Sequence, residues 1–175
     1  MHDPLAYFMT FTCYGTWLHG DERGSVDLDH NTFGTPMLSS DAVRQTRERQ
    51  LMSGPAYHLD ASRRQVTLDA LREIARRKNW SLHAVHVRSN HVHVILSAAG
   101  TAERVMNDLK TAASRRLNKA FPDDSRRTRW ARHGSTRYLW TEDEVAEKVR
   151  YVLEEQGDPM HRFPEPPNRA CSAAE

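Results

Sequence analysis

Cysteine is nearly absent from this chain of 175 residues: Cys13 and Cys171 lie near opposite ends and have no metal-type spacing. That argues against a disulfide-stapled scaffold and against a cysteine-built zinc finger, and a reducing cytoplasm is the expected compartment. No run of 18 apolar residues occurs, and residues 1–20 lack the basic start, greasy centre and cleavage site of a secretory leader. Neither a membrane nor export is therefore expected. Internal repeats are also missing. With 38% apolar and 27% charged residues, the composition suits one globular domain with a full hydrophobic core.

A net charge of only +2 hides an uneven layout. Residues 101–140 carry ten Lys or Arg (Arg104, Lys110, Arg115, Arg116, Lys119, Arg126, Arg127, Arg129, Arg132, Arg137) against four acids, an excess of six positive charges. Residues 141–160 carry seven acids against Lys148 and Arg150, an excess of five negative. The planar fork of arginine suits phosphate, so nucleic acid is a plausible partner; a solvated, salt-bridged helix face is the plainer use of the same charges.

Tyr7 to Thr12 is aromatic and alternating and reads as a first strand. Residues 13–58 read as an insertion. They hold a long loop with Gly20, Gly24, Gly34 and Pro36, then a short helix over 41–52 capped by Ser40-Asp41 and rich in Arg44, Arg47 and Arg49. Ser62-Arg-Arg-Gln65 has the form of a capping box, and Leu68, Leu71, Ile74 and Ala75 form the apolar stripe of a helix to about Lys78. Ser81–Val87, a tight turn at 88–90 and the strand from His91 form an antiparallel hairpin. A helix opened by Gly100-Thr101 carries Val105, Leu109, Ala113 and Leu117, and Pro122 follows its end. Residues 122–135 form a basic loop before a short strand over Thr136–Trp140. Thr141-Glu-Asp-Glu144 is a second capping box, with acids where the helix dipole favours them, and its helix should run to about Gln156 with Gly157 as the stop. Residues 1–157 then form the domain. Four prolines deny regular structure to 158–175, a tail expected to be mobile. The order β-α-β-β-α-β-α predicts an α+β fold, the ferredoxin-like split βαβ: an antiparallel sheet with helices on one face and a C-terminal helix bearing Tyr151.

Chemistry concentrates in Asn90-His91-Val92-His93. On a strand, residues two apart share a face, roughly 7 Å between Cα atoms, so both imidazoles can converge on one cation. Two histidines decorating a half-exposed strand would look the same. On a helical wheel Val145, Val149, Val152 and Leu153 share one sector, and Tyr151 falls outside it beside Lys148, Glu144 and Glu155.

His-hydrophobe-His on a strand, with Tyr151 on the last helix, resembles the single-tyrosine transposases of the HUH nuclease superfamily, including the REP-associated tyrosine transposases. The stretch from Tyr7 to Trp17, the Ser114–Asn118 part of the long helix and the strand before the Thr141 cap are similar too. The resemblance spans roughly residues 5–157. It implies that His91, His93 and a polar residue one turn after the tyrosine hold Mg²⁺ or Mn²⁺. That residue is usually Gln or Asn; here Glu155 stands at i+4, with Gln156 next, and an ideal helix favours Glu155. The resemblance further implies that Tyr151 attacks a phosphodiester of single-stranded or hairpin DNA and joins its 5′ end, and that the protein is a homodimer in which the tyrosine helix completes either its own subunit's site or the other's. Tyrosine ionises near pH 10, so Lys148, one turn earlier, is a candidate to favour the phenolate or, equally, to contact a phosphate. Arg115, Arg116, Lys119, Arg126, Arg127, Arg129, Arg132 and Arg137 are the candidate DNA-backbone contacts. Trp17, Trp130 and Trp140 could stack on unpaired bases or pack in the core. Two other functions use the same residues: a non-cleaving nucleic-acid-binding domain, and a metal-dependent hydrolase in which His91 and His93 activate water.

Overall fold

The computed structural model describes residues 3–18 and 41–164. Its sheet has five strands, β1 (Ala6–Thr12), β2 (Ser81–Val87), β3 (His91–Ser97), β4 (Ser135–Leu139) and β5 (His161–Phe163), in the order β4-β1-β3-β2-β5 with every pairing antiparallel. The helices are α1 (Ala42–Gln50), α2 (Ala61–Arg77), α3 (Ala102–Ala120) and α4 (Glu142–Glu154). Without α1 and β5, the chain order β1-α2-β2-β3-α3-β4 and the spatial order 4-1-3-2 are those of the ferredoxin-like split βαβ expected from the sequence.

Alternation along the strands sorts the side chains into two cores. Val92, Val94 and Leu96 of β3 join Met9 and Phe11 of β1 and Val85 and Val87 of β2 under Leu71 of α2 and Val105, Leu109, Ala113 and Leu117 of α3. Burying each of these side chains except that of Ala113 contributes about 1.5–3 kcal/mol. On the opposite face Ala6, Ala84, Ile95 and Leu139 pack with Val152 of α4. The sheet therefore carries α2 and α3 on one side and α4 on the other. His91 and His93 share the parity of Ile95, so they emerge on the α4 side. A bulge between Leu82 and Ala84 resets the parity of β2 and places Ala84 and His86 on that side as well.

Helix ends follow from local chemistry. Thr141 caps α4 with its hydroxyl accepting from Glu144 N–H, and the Glu144 carboxylate reaches back to complete the capping box. Thr101 caps α3 through its hydroxyl alone, which accepts from Arg104 N–H at 3.4 Å. The Ser62 box is not used. Extended Asp60 caps α2 instead, accepting from Arg63 N–H at 2.8 Å, and Gln65 turns outward to Asp69. Asp, with two acceptor oxygens, outcompetes a serine already inside the first turn.

The insertion is anchored at both ends. Cys13 bridges Trp130, Tyr57 N–H donates to Tyr14 O at 2.8 Å, and Tyr57 and Leu59 are fully buried. Its helix α1 buries no residue; positions 19–40 of the insertion lie outside the described residues. The tail differs from expectation in its first part, because β5 pairs with β2 through Val85↔Phe163, His86↔Arg162 and Val87↔His161. Prolines only bracket this strand, at 159 and 164. Residues 165–175, Cys171 among them, lie outside the described residues.

Candidate active site

The rings of His91 and His93 lie 4.7 Å apart, centroid to centroid, at 73°. Asn90 Oδ1 lies 2.7 Å from His91 Nδ1. An amide oxygen only accepts, so Nδ1 carries the proton and Nε2 keeps a lone pair. His93 is 7% exposed and bonded at both nitrogens: Nδ1 lies 2.7 Å from the Thr10 hydroxyl, its partner across β1, and Nε2 lies 3.0 Å from Gln156 Oε1. Burial pushes its pKa down to about 3, the nearby His91 adding to the effect, so the ring is neutral near pH 7.

Tyr151 stands in the last full turn of α4. Its ring meets His93 edge-on at 6.2 Å and Phe8 of β1 at 6.0 Å. Phe8 also lies 5.6 Å from His93, so one phenyl ring wedges both side chains into place. The helical wheel put Tyr151 outside the apolar sector; the structure instead half-buries it at the rim of the core beneath α4. Lys148 Nζ stands 5.5 Å from the centre of the tyrosine ring, and its hydrogen bond goes to Glu147 Oε1 at 2.8 Å. It neighbours the tyrosine as predicted, over the ring face.

The expected position of Glu155 is corrected. Helix α4 ends at Glu154, Glu155 is its C-cap at φ −105°, and Gly157 turns the chain at φ +70°. An ideal helix continued by one residue would put Glu155 beneath Tyr151, but the helix has already opened there. The Glu155 carboxylate turns outward to Arg150 Nε at 3.4 Å, and Gln156 takes the place beside His93. Among the described residues no three of His, Cys, Asp and Glu cluster tightly enough to hold a metal. The convergent donors are two imidazoles and one amide oxygen. A divalent cation fits this set, since imidazole nitrogens and an amide oxygen are both ligands for such an ion and His93 is neutral. The Thr10 hydroxyl can accept from Nδ1 as readily as donate to it, so His93 can move its proton to Nδ1 and free Nε2 for a cation.

Residues that sequence reasoning passed over hold this arrangement. His86, 1% exposed and paired with His93 across the hairpin, donates from Nδ1 to Val152 O at 3.0 Å and accepts at Nε2 from Met160 N–H at 3.1 Å. Thr10 and Phe8 were legible only as strand residues. Their parity on β1, the same as that of the histidines once β1 pairs with β3, was the available signal.

The candidate DNA contacts divide. Arg115, Lys119, Arg126 and Arg132 are exposed. Arg116 pairs with Glu73 at 3.0 Å, and Arg137 lies 3.9 Å from Glu144. Arg127 donates to the carbonyls of Pro55 and Ala56 and lies over the Tyr57 ring. Arg129 is a correction: at 3% exposure its guanidinium is spent on Asn118 Oδ1, Asp124 O and the Tyr57 hydroxyl, so it is part of the core. Lys110 is likewise buried, donates to Ala131 O and His133 O at 3.0 Å, and is pushed by burial down to about 8. These two cations fold the 129–133 loop against the end of the sheet where β3 begins, next to Asn90, which accepts from Cys13 N–H. Trp130 is a core residue bonded to Ser114, whereas Trp140 is 53% exposed and stacked on Tyr138.

A family model described as IS200-like transposase matches residues 56–156, more than half of the chain. Two solved structures are similar in fold. One is a REP-associated tyrosine transposase bound to a REP hairpin, at 12% identity and a TM-score of 0.48 over 87% of this chain and 66% of that one. The other is a candidate transposase from Deinococcus radiodurans R1, at 18% identity and a TM-score of 0.45 over 87% of this chain and 91% of that one. This chain thus spans about two thirds of the first structure's length. No curated sequence matches. On the family match, the chain belongs to the IS200-like transposases.

Proposed function

We propose that this transposase cleaves and rejoins single-stranded or hairpin DNA through a covalent bond to Tyr151, with His91, His93 and Gln156 holding Mg²⁺ or Mn²⁺. One observation carries the reading: a half-buried tyrosine on α4 lies against the second of two adjacent strand histidines, which bonds to an amide oxygen five residues after that tyrosine. Core packing alone would not gather a phenol, two imidazoles and an amide at one rim of a sheet.

The chemistry follows from these groups. Tyr151 Oη attacks phosphorus, the bond from phosphorus to the 3′ oxygen breaks, and the 5′ phosphate stays on the tyrosine. The phenolic proton departs and the leaving 3′ oxygen takes one up, so a free 3′ hydroxyl results. The same hydroxyl, or another, can reverse the step, because the phosphotyrosine preserves the bond energy. A bound divalent cation would neutralise charge growing on the phosphate. Phe8 and His93 fix the tyrosine ring, and the Lys148 ammonium over its face can contact the scissile phosphate. Exposed Arg126 and Arg132 lie on the loop at the end of the sheet where β3 begins and can hold phosphates beside the scissile one, whereas exposed Arg115 and Lys119, on α3 across the sheet, can hold the strand farther from it. In the homodimer that the resemblance implies, the tyrosine helix of one subunit completes either its own site or its partner's.

Tyr151→Phe tests the reading. The substitution removes one oxygen, so folding and DNA affinity should persist while the 5′-linked protein–DNA adduct disappears. An adduct that survives in Tyr151→Phe would move the nucleophile elsewhere. Cutting without any adduct would make water the nucleophile and the protein a hydrolase.

A further inference from the structure

We infer that the segment following the tyrosine helix is a working part of the site: β5 and its approach hold the end of α4 on the sheet, with Arg162, Arg88 and His86 as positioning residues for Tyr151. This inference rests on Tyr151 being the nucleophile. The segment lies beyond the family-matched residues 56–156, and the prolines around it disguise it as a tail.

The last carbonyls of a helix have no partner within it and must find donors elsewhere. Here the donors come from the sheet. His86 Nδ1 donates to Val152 O at 3.0 Å, and Arg162 Nη1 donates to Leu153 O. Arg88 Nη1 donates to Gln156 O and, at 3.2 Å, to Asp158 O. The two carbonyls directly after Tyr151 and the carbonyl of Gln156 are thus each gripped by a residue of β2, of β5 or of the hairpin turn.

The strap is closed by its own backbone. Met160 N–H donates to His86 Nε2 at 3.1 Å, so a single buried imidazole joins helix end and returning chain. β5 then pairs with β2 at His86↔Arg162, which sets Arg162 beside the histidine that shares its task. Cationic donors also suit a helix C-terminus, whose dipole is negative. Without these grips, the turn bearing Tyr151 would be held by Val152 and the side chains around it, and Gln156 would sit on free coil.

The experiment compares Arg162→Ala, Arg162→Lys and Arg88→Ala in the full chain. Two readouts are needed: amide hydrogen exchange over 149–157, and single-turnover adduct formation on a saturating single-stranded oligonucleotide, with its affinity measured separately. Arg162 is half-buried on an edge strand, so Arg162→Ala should fold; Arg88→Ala loosens the same end independently. Expected for either alanine variant are faster exchange confined to the end of α4 and adduct formation slowed by roughly ten- to a hundredfold at unchanged affinity, as for a nucleophile displaced by about 1 Å. Lysine, which still donates to Leu153 O, should restore most of the rate. Unchanged exchange in both alanine variants overturns the inference, as does faster exchange with an undiminished rate. If the wild-type chain forms no Tyr151 adduct, the proposed function fails instead, and the exchange data still decide whether the strap holds the helix.

Discussion

Arg129→Met discriminates sharply between a DNA contact and a structural role for the most basic part of the chain. Methionine keeps much of the side-chain volume and removes every donor. Asn118 Oδ1, bonded at 2.8 and 3.2 Å, loses both its bonds, the Tyr57 hydroxyl loses its bond from the buried cation, and Asp124 O, bonded at 3.0 Å, keeps only Arg127 N–H. A hydrogen bond from a charged donor contributes about 1.5–3 kcal/mol, and relaxation and water entry recover part of the loss, so about 3–5 kcal/mol is expected. The guanidinium also lies 5.0 Å from the centre of the Tyr57 ring, a stacking contact that methionine replaces only in part. For a protein of this size, that loss lowers Tm by about 6–20 °C. Thermal unfolding by circular dichroism measures it, and fluorescence anisotropy with a single-stranded oligonucleotide measures affinity well below the new Tm. Exposed Arg115→Ala and Lys119→Ala are the counterparts; they should leave Tm nearly unchanged, weaken binding and flatten its salt dependence. A stable Arg129→Met with weakened DNA binding would refute the structural assignment.

The third donor to the cation follows from where α4 ends. Gln156→Ala should lower Mn²⁺ affinity by calorimetry and slow adduct formation, each by about tenfold or more, whereas Glu155→Ala should change little; the reverse order would return Glu155 to the site. Stability should also fall in mild acid. The unfolded chain protonates its histidines near pH 6.5, but burial lowers the pKa of His86 and takes His93 down to about 3, so their contribution is full above pH 6.5 and is lost as pH falls from there towards 3. For His93 alone the loss between pH 6.5 and 5 is about 2 kcal/mol, and equal urea midpoints at pH 7.5 and pH 5 would contradict the buried, neutral assignment.

What the sequence made legible was whatever short-range pattern determines. Alternation around His91 and His93 identified β3 and the shared face of its histidines. Thr141 and Glu144 marked the start of α4, because both halves of a capping box lie within four residues. The pairing with β2 was readable from the turn at 88–90. Other features escaped, each decided by a competitor that pattern and periodicity do not weigh. Asp60, two residues upstream of Ser62, won the cap of α2. Glu155 lost its place to Gln156 because Gly157 and Arg88 open the helix one residue early. The Arg129 guanidinium is spent on groups as far along the chain as Tyr57, and no charge count can show that an arginine is buried. Tyr151 illustrates the same limit in milder form. A wheel knows only the helix, and the ring of Phe8 that half-buries the tyrosine belongs to β1, more than a hundred positions away.

Strand β3 carries two sets of side chains that answer to different demands. Val92, Val94 and Leu96 belong to the large core under α2 and α3, while His91 and His93 open towards α4. Because the two sets interleave residue by residue, a substitution can alter the reactive face with little reach into the packing that keeps the chain folded. Lineages could therefore retune or silence the chemistry while inheriting the scaffold intact. A copy that had lost either histidine should still fold, and could persist as a plain DNA-binding protein.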